Sequence, residues 1–122
     1  MAEILIVDDE AVAIRILQHT LTKNGHIVQS ANSGEEALRV VSNTQFDLMI
    51  LDVSMPVMDG IELLTELRAL PAYADTPIIM LTASSQDDDR VRAREAGANL
   101  YLTKPFSSRD MIRTVDNLLS GR

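Results

Sequence analysis

The run Phe46-Asp47-Leu48-Met49-Ile50-Leu51-Asp52 carries the strongest structural signal in this chain. Residues 48–51 are all apolar and have polar neighbours on both sides. The run is too short for a typical helix. This pattern is typical of a strand buried on both faces of a parallel sheet. Because ligands of open α/β sheets bind beyond the carboxyl ends of the strands, we expect Asp52 to lie in a functional crevice. The alternative is that Asp52 only opens the following turn, since aspartate is a common turn residue.

Length and charge limit the classes of function open to the chain. Its 122 residues, of which 46% are hydrophobic, suit one compact domain, so we expect residues 1–122 to form a single domain. The formal net charge of −7 argues against binding nucleic acid or an anionic membrane through bulk electrostatics. It favours a cation or a basic partner surface.

The composition also bears on the cellular compartment. The chain has no cysteine, which excludes disulfides, a thiolate nucleophile and a cysteine-based zinc site. Residues 1–3 do not begin a secretory signal, and no apolar run approaches the ~18 residues that span a bilayer. We therefore predict a cytoplasmic protein. His19 and His26 lie far in sequence from the acidic clusters and are interpreted as surface residues.

Short apolar runs alternate with helical patterns along the whole chain. The apolar runs predict five strands, at residues 3–7, 27–31, 48–51, 77–82 and 98–103. The predicted starts of the later helices are Ser33 with Glu36 for the second, Ser85 or one of residues 87–89 for the fourth, and Ser107 or Ser108 for the fifth. The predicted stops are Asn24-Gly25, Pro71 and Gly97. Such alternation predicts an α/β fold with a parallel sheet and helices on both faces.

Four of the five predicted strands are followed or ended by polar residues of complementary chemistry. These residues are Asp8 and Asp9 after the first strand, Asp52 after the third, Thr82 at the end of the fourth and Lys104 after the fifth. A strand order of 2-1-3-4-5 would bring the three aspartates together at a switch point. Clustered carboxylates need a cation, and oxygen ligands in an open crevice suit Mg²⁺. The alternative for Asp8 and Asp9 is capping of the following helix.

Four motifs resemble the receiver domain of two-component response regulators. They are Ile4-Leu5-Ile6-Val7-Asp8-Asp9-Glu10, Leu51-Asp52-Val53-Ser54-Met55-Pro56-Val57-Met58-Asp59-Gly60, Leu81-Thr82-Ala83 and Leu102-Thr103-Lys104-Pro105-Phe106. Their order and spacing cover essentially the whole chain. The resemblance implies a doubly wound five-stranded parallel sheet in the order 2-1-3-4-5 flanked by five helices, a flavodoxin-like or CheY-like fold. It also implies one receiver domain, with no output domain in residues 1–122.

The resemblance assigns chemistry to individual residues. Asp52 would be the phosphoacceptor for a phosphoryl group from a sensor histidine kinase or a phosphotransfer protein. The cofactor would be Mg²⁺, held by Asp8, Asp9, Asp52 and the backbone carbonyl of Ser54. Lys104 would pair with phosphoryl oxygens and Thr82 would hydrogen-bond them, which agrees with the positioning and charge neutralisation that phosphoryl transfer requires.

A conformational switch and a partner surface are implied in the same way. Tyr101 would be the aromatic residue that changes orientation with phosphorylation. The face around the fourth helix, fifth strand and fifth helix would then bind a downstream effector or output domain, with no direct contact to nucleic acid or membrane. Such a domain is not an enzyme for other substrates, because it catalyses only its own phosphorylation and dephosphorylation. Members of this family often have a cis peptide at the position of Lys104-Pro105.

Two other classes share the predicted fold. A haloacid-dehalogenase-like phosphohydrolase also uses a strand-end aspartate with Mg²⁺. Those enzymes carry a second aspartate two residues later as general acid, where this chain has Ser54, which cannot take that part at neutral pH. A flavodoxin-type cofactor binder would bring its phosphate against the acidic run of residues 8–10, where like charges repel it. The phosphohydrolase is the main alternative.

Overall fold

A computed structural model describes residues 2–83 and 86–121 and confirms the predicted architecture. The strands are β1 (Glu3–Val7), β2 (Ile27–Ala31), β3 (Leu48–Leu51), β4 (Ile78–Thr82) and β5 (Leu100–Thr103). The helices are α1 (Ala11–Lys23), α2 (Gly34–Val41), α3 (Gly60–Arg68), α4 (Asp87–Ala96) and α5 (Ser108–Ser120). All neighbouring strands pair in parallel, in the order β2-β1-β3-β4-β5. Within the described ranges, no helix is long and apolar enough to cross a membrane.

The central strands supply most of the core. Every residue of β3 and β4 is buried, as expected for apolar runs in the middle of a parallel sheet. Alternate side chains point to opposite faces, so Met49 joins a cluster with residues of α2 and α3, and Ile50 joins a cluster with residues of α1 and α5. The sheet therefore carries helices on both faces.

Two helix starts show how local sequence fixes the ends of elements. The Ser33 hydroxyl accepts a hydrogen bond from the Glu36 backbone N–H at 3.1 Å, as predicted. The Glu36 carboxylate, however, accepts from the N–H of Asn32 at 2.7 Å, so the reciprocal half of the predicted capping box is displaced by one residue. The complete capping box lies at α3, where the side chains of Asp59 and Glu62 each accept from the other residue's backbone N–H.

Helix α4 starts differently from the prediction. Its N-cap is Gln86, which makes no side-chain capping hydrogen bond. Residues 87–89 form the first turn and do not cap it; three carboxylates there interact favourably with the positive end of the helix dipole. The other predicted cap, Ser85, lies outside the described residues. Gly97 ends the helix in a left-handed conformation with φ of 106°, as predicted.

Three element boundaries lie inside the predicted ones. Strand β4 begins at Ile78, one residue after its predicted start at Pro77. Helix α3 ends at Arg68, before Pro71 is reached, and Leu70 lies beyond the helix with 38% exposure. Strand β5 begins at Leu100 and not at residue 98, because Asn99 accepts a hydrogen bond from a β4 backbone N–H with its side-chain oxygen. A side chain has taken the place of a strand carbonyl there, which periodicity does not reveal.

The region of α5 holds two confirmed predictions and one error. The Ser107 hydroxyl caps α5 by accepting from the Asp110 N–H at 3.0 Å, and the Lys104-Pro105 peptide is cis. His26, predicted at the surface, has a side chain only 7% exposed. Its Nδ1 accepts a hydrogen bond from the backbone N–H of Ala2 at 3.2 Å. A residue between α1 and β2 can be buried by the start of the chain and by α5, which lies distant in sequence.

Candidate functional site

The strand register brings the predicted site residues to one edge of the sheet. β1 and β3 pair in register up to their last residues, so Asp8 and Asp52, which follow them, are neighbours. Thr82, the last residue of β4, pairs with the residue immediately before Lys104. Groups that are up to 96 positions apart in sequence therefore meet at the carboxyl ends of β1, β3, β4 and β5.

Three carboxylates gather at this edge. Oxygens of Asp8, Glu10 and Asp52 all lie within 4.8 Å of one another. Asp8 and Asp52 are 3% and 5% exposed, whereas Glu10 lies at the exposed rim. Glu10 was not predicted, although it is the third acid of the run after β1. Asp9 is exposed and lines a separate cleft with Asn32, so its predicted metal contact stays a prediction.

The capping alternative for the paired aspartates is not supported. The N-cap of α1 is Glu10, and no side chain makes a capping hydrogen bond there. Asp8 Oδ1 accepts a hydrogen bond from the backbone N–H of Glu10 at 2.9 Å. This N–H precedes the first turn of α1, so the bond does not cap the helix. Asp8 thus fixes the loop between β1 and α1 and keeps its second oxygen for the cluster.

Lys104 is the cation of the site. Its Nζ donates to Asp8 Oδ2 at 2.9 Å and lies 3.7 Å from Glu10 and 3.9 Å from Asp52. Partial burial lowers the pKa of Lys104, but the hydrogen bond to Asp8 and the charges of Asp52, Asp8 and Glu10 outweigh burial and raise that pKa above 10.5. The ammonium group therefore stays charged and is held beside Asp52 by Asp8.

Asp52 has a perturbed carboxyl group. Burial is the largest cause and raises its pKa above the ordinary 3.8, and the negative charge of Asp8 raises it further. Lys104 and hydrogen bonds from the Ser54 backbone and the Thr82 side chain act in the opposite direction. The Ser54 N–H lies 3.3 Å from Asp52 Oδ1. This carboxylate is thus desolvated and surrounded by donors, the setting expected of a functional aspartate.

Tyr101 lies in β5 and contacts α4. Its half-buried ring carries the Arg90 guanidinium 4.8 Å above the ring centroid, and Arg90 Nη1 donates to the Tyr101 carbonyl at 3.3 Å. This cation–π contact and hydrogen bond link α4 to β5.

The donor set fits a hard divalent cation. By formal charge, three carboxylates and one ammonium leave two negative charges in excess within the cluster of Asp8, Glu10, Asp52 and Lys104. Oxygen ligands at an open rim match Mg²⁺, which takes one or two carboxylates and keeps several waters. The cluster is therefore compatible with Mg²⁺ binding.

Comparison with known proteins agrees with this geometry. The response regulator receiver domain family matches residues 4–116. The alkaline phosphatase synthesis transcriptional regulatory protein PhoP of Bacillus subtilis is 42% identical over 117 residues, which cover 96% of this chain and 48% of that protein. The transcriptional regulatory protein PrrA of Mycobacterium leprae is 41% identical over 119 residues, which cover 98% of this chain and 50% of that protein. The chain thus spans about half the length of these curated relatives.

Solved structures give the same result. The chemotaxis protein CheY4 of Vibrio cholerae superimposes with a TM-score of 0.93 at 36% identity, covering 98% of this chain and 99% of that chain. These matches do not support the phosphohydrolase alternative. A sheet in the order β2-β1-β3-β4-β5, acids at the ends of β1 and β3 and a lysine after β5 all agree with the family match. This chain belongs to the response regulator receiver family.

Proposed function

We propose that the chain receives a phosphoryl group on Asp52 from a phosphohistidine of a sensor histidine kinase or a phosphotransfer protein. The observation that carries this proposal is the setting of Asp52. It is a 5% exposed carboxylate at the end of the central strand β3, with Asp8 beside it and the Lys104 Nζ at 3.9 Å. An aspartate that only opens a turn needs neither a buried acid nor a cation next to it.

The transfer is a displacement at phosphorus. A carboxylate oxygen of Asp52 forms a bond to phosphorus while the phosphorus–nitrogen bond of the donor breaks, and the electron pair leaves with the imidazole, which takes up a proton from water. Lys104 and the Thr82 hydroxyl supply positive charge and a hydrogen bond to the phosphoryl oxygens. Lys104 would exchange its 2.9 Å hydrogen bond to Asp8 for one to the phosphoryl group.

The residues that would hold Mg²⁺ are Asp8, Asp9, Asp52 and the backbone carbonyl of Ser54. When bound, Mg²⁺ neutralises the charge that develops on the phosphoryl oxygens. Glu10 is a second candidate, because its carboxylate already lies in the cluster. Measuring Mg²⁺ affinity for Asp9→Asn and Glu10→Gln distinguishes the two acids. The variant that replaces the acid that binds Mg²⁺ should lose more affinity.

Phosphorylation would be read out through α4 and β5. Because Arg90 holds both the ring and the carbonyl of Tyr101, reorientation of Tyr101 and movement of α4 are expected together. The face formed by α4, β5 and α5 would then bind a downstream effector or an output domain. In this proposal the chain acts in the cytoplasm as a signalling domain, and it catalyses only its own phosphorylation and dephosphorylation.

The test uses acetyl phosphate as donor and intact-protein mass as readout. We expect the wild-type protein to gain one phosphoryl group in Mg²⁺ and none in chelator, and Asp52→Asn to gain none. Asp110→Asn, an exposed acid in the first turn of α5, is the matched control and should be labelled like wild type. Equal labelling of Asp52→Asn, or labelling indifferent to chelator, would contradict the proposal.

A further inference from the structure

The loop between β3 and α3, residues 52–59, contains a strained turn next to the site. The Met58 N–H donates to the Pro56 carbonyl at 2.8 Å, which closes a three-residue γ-turn around Val57. Val57 has a φ of 70°, a region that β-branched residues rarely adopt. Its side chain is 92% exposed, so packing of Val57 itself does not hold the turn. Such a conformation persists only when neighbouring contacts impose it.

The first such contact is between Met58 and Gly34. A Cβ added to Gly34 would lie 2.6 Å from the Met58 sulfur and 3.0 Å from its Cγ, so the thioether rests directly on the Gly34 backbone at the start of α2. Among the described residues the glycines with positive φ are Gly25 and Gly97. Gly34 is therefore required for space and not for an unusual backbone conformation. Met58 also packs against the core cluster on that face of the sheet.

The second contact is between Gly60 and the backbone of Asp52. A Cβ on Gly60 would overlap the Asp52 carbonyl oxygen, and the Gly60 N–H donates to the Val53 carbonyl at 2.9 Å. The loop thus returns onto its own starting point. Ser54 lies between Asp52, whose backbone Gly60 contacts, and Met58, which rests on Gly34. Its N–H reaches Asp52 Oδ1.

We propose that Met58, seated on Gly34, is a positioning residue that holds the β3–α3 loop in the conformation needed for Mg²⁺ binding beside Asp52. It acts through the backbone of Ser54, not by contact with the reacting atoms. The inference rests on the proposed function, because it assumes that the Ser54 carbonyl and the Asp52 carboxylate are Mg²⁺ ligands. It adds that α2, through Gly34, supports the loop that carries Ser54.

The experiment measures Mg²⁺ affinity by calorimetry for four variants: Met58→Ala, Gly34→Ala, the double variant and Met58→Leu. We expect each of the first two to weaken Mg²⁺ binding by about tenfold, the lower end of the effect of outer-shell changes on metal affinity. Because both act on one contact, the double variant should also be about tenfold weaker, whereas independent effects would multiply to about 100-fold. Met58→Leu conserves volume and should bind within about twofold of wild type.

A matched glycine variant controls for the backbone change. Gly121→Ala meets its nearest atom at 3.5 Å, an ordinary contact, and should bind Mg²⁺ like wild type. A second readout needs no metal: the amide signal of Ser54 in nitrogen-15 spectra of the metal-free protein should shift in Gly34→Ala and Met58→Ala but not in Gly121→Ala.

The outcomes separate this inference from the proposed function. If wild type neither binds Mg²⁺ nor is labelled on Asp52, the proposed function is wrong and this inference fails with it. If wild type does both, and Met58→Ala loses stability but keeps its Mg²⁺ affinity and Ser54 signal, Met58 has only a structural role and the inference alone is overturned. Multiplicative weakening in the double variant would also overturn it.

Discussion

The centre of the sheet and the α4–β5 segment, residues 87–103, are built in different ways. Every residue of β3 and β4 is buried, whereas all four residues of β5 are partly or largely exposed and Ala93 is the buried residue of α4. The centre of the sheet is the dense region of the molecule, and it carries the carboxylates Asp8 and Asp52 at its edge. Tyr101 belongs to the more exposed α4–β5 segment. The residues proposed to take part in phosphoryl transfer therefore lie where packing is tight. The conformational change expected on phosphorylation lies where movement costs less free energy.

The largest expected effect tests this contrast in packing directly. Ile50→Ala removes a side chain that is 1% exposed in β3 and should lower the free energy of unfolding by about 2–5 kcal/mol. Val91→Ala in α4 removes a side chain that is 45% exposed and should change it by within about 0.5 kcal/mol. Urea unfolding of both variants measures the difference. Similar losses would mean that α4 is packed as firmly as the centre.

The second prediction concerns the pH dependence of the dense region. The raised pKa of Asp52 means that the folded metal-free protein binds its proton more tightly than the unfolded chain does. The associated stability is present below the ordinary pKa of 3.8 and is lost as the pH rises through that value and then through the folded pKa. Asp52→Asn cannot ionise, so in chelator it should be more stable than wild type at pH 7, and the gap should close towards pH 4.

Mg²⁺ should offset the loss of stability that ionisation of Asp52 causes in the wild-type protein. A ligand that binds only the folded state stabilises it by about 1.4 kcal/mol when its free concentration is roughly ten times Kd. Urea unfolding from pH 4 to pH 8, with and without Mg²⁺, measures both effects. A wild-type midpoint indifferent to Mg²⁺, or an Asp52→Asn protein less stable than wild type in chelator, would show that the carboxylates do not form one cluster.

The smallest expected effect concerns the two helix starts near the predicted output face. Ser107 caps α5 with its hydroxyl, whereas Gln86 provides no side-chain cap for α4. Gln86→Ser should therefore stabilise the protein by about 0.5–1 kcal/mol, and Ser107→Ala should destabilise it by about 1 kcal/mol. Thermal unfolding checks both. Asp52 should be phosphorylated at the wild-type rate in Gln86→Ser, because the change lies outside the dense region.

The sequence predicted the dense region better than the α4–β5 segment, for a physical reason. Buried central strands are continuous apolar runs, so β3 was placed to the residue. The start of β5 and the cap of α4 depend on side chains such as Asn99 and Gln86, whose partners are not set by periodicity. The capping box of Asp59 and Glu62 was missed although its spacing was visible in the sequence.

The site divides in the same way. Strand ends were sufficient to expect Asp8, Asp52, Thr82 and Lys104 at one edge. Which acid of the run after β1 joins the cluster depends on how the β1–α1 loop folds: Glu10 contributes a carboxylate oxygen from the exposed rim, whereas Asp9 lines a separate cleft. The contact of Arg90 with Tyr101 crosses from α4 to β5, and spacing along one helix does not reveal it.

Amide hydrogen exchange tests the central claim most directly, because it reports local opening along the whole chain. It should be measured with Mg²⁺ alone and with Mg²⁺ plus acetyl phosphate, under conditions in which intact mass shows that Asp52 is labelled. We predict that exchange changes by the largest factor in residues 87–103, while the amides of β1 and β3 keep their slow exchange. Labelling of Asp52 that leaves α4 and β5 unchanged, or that alters β3 as much as β5, would contradict the account.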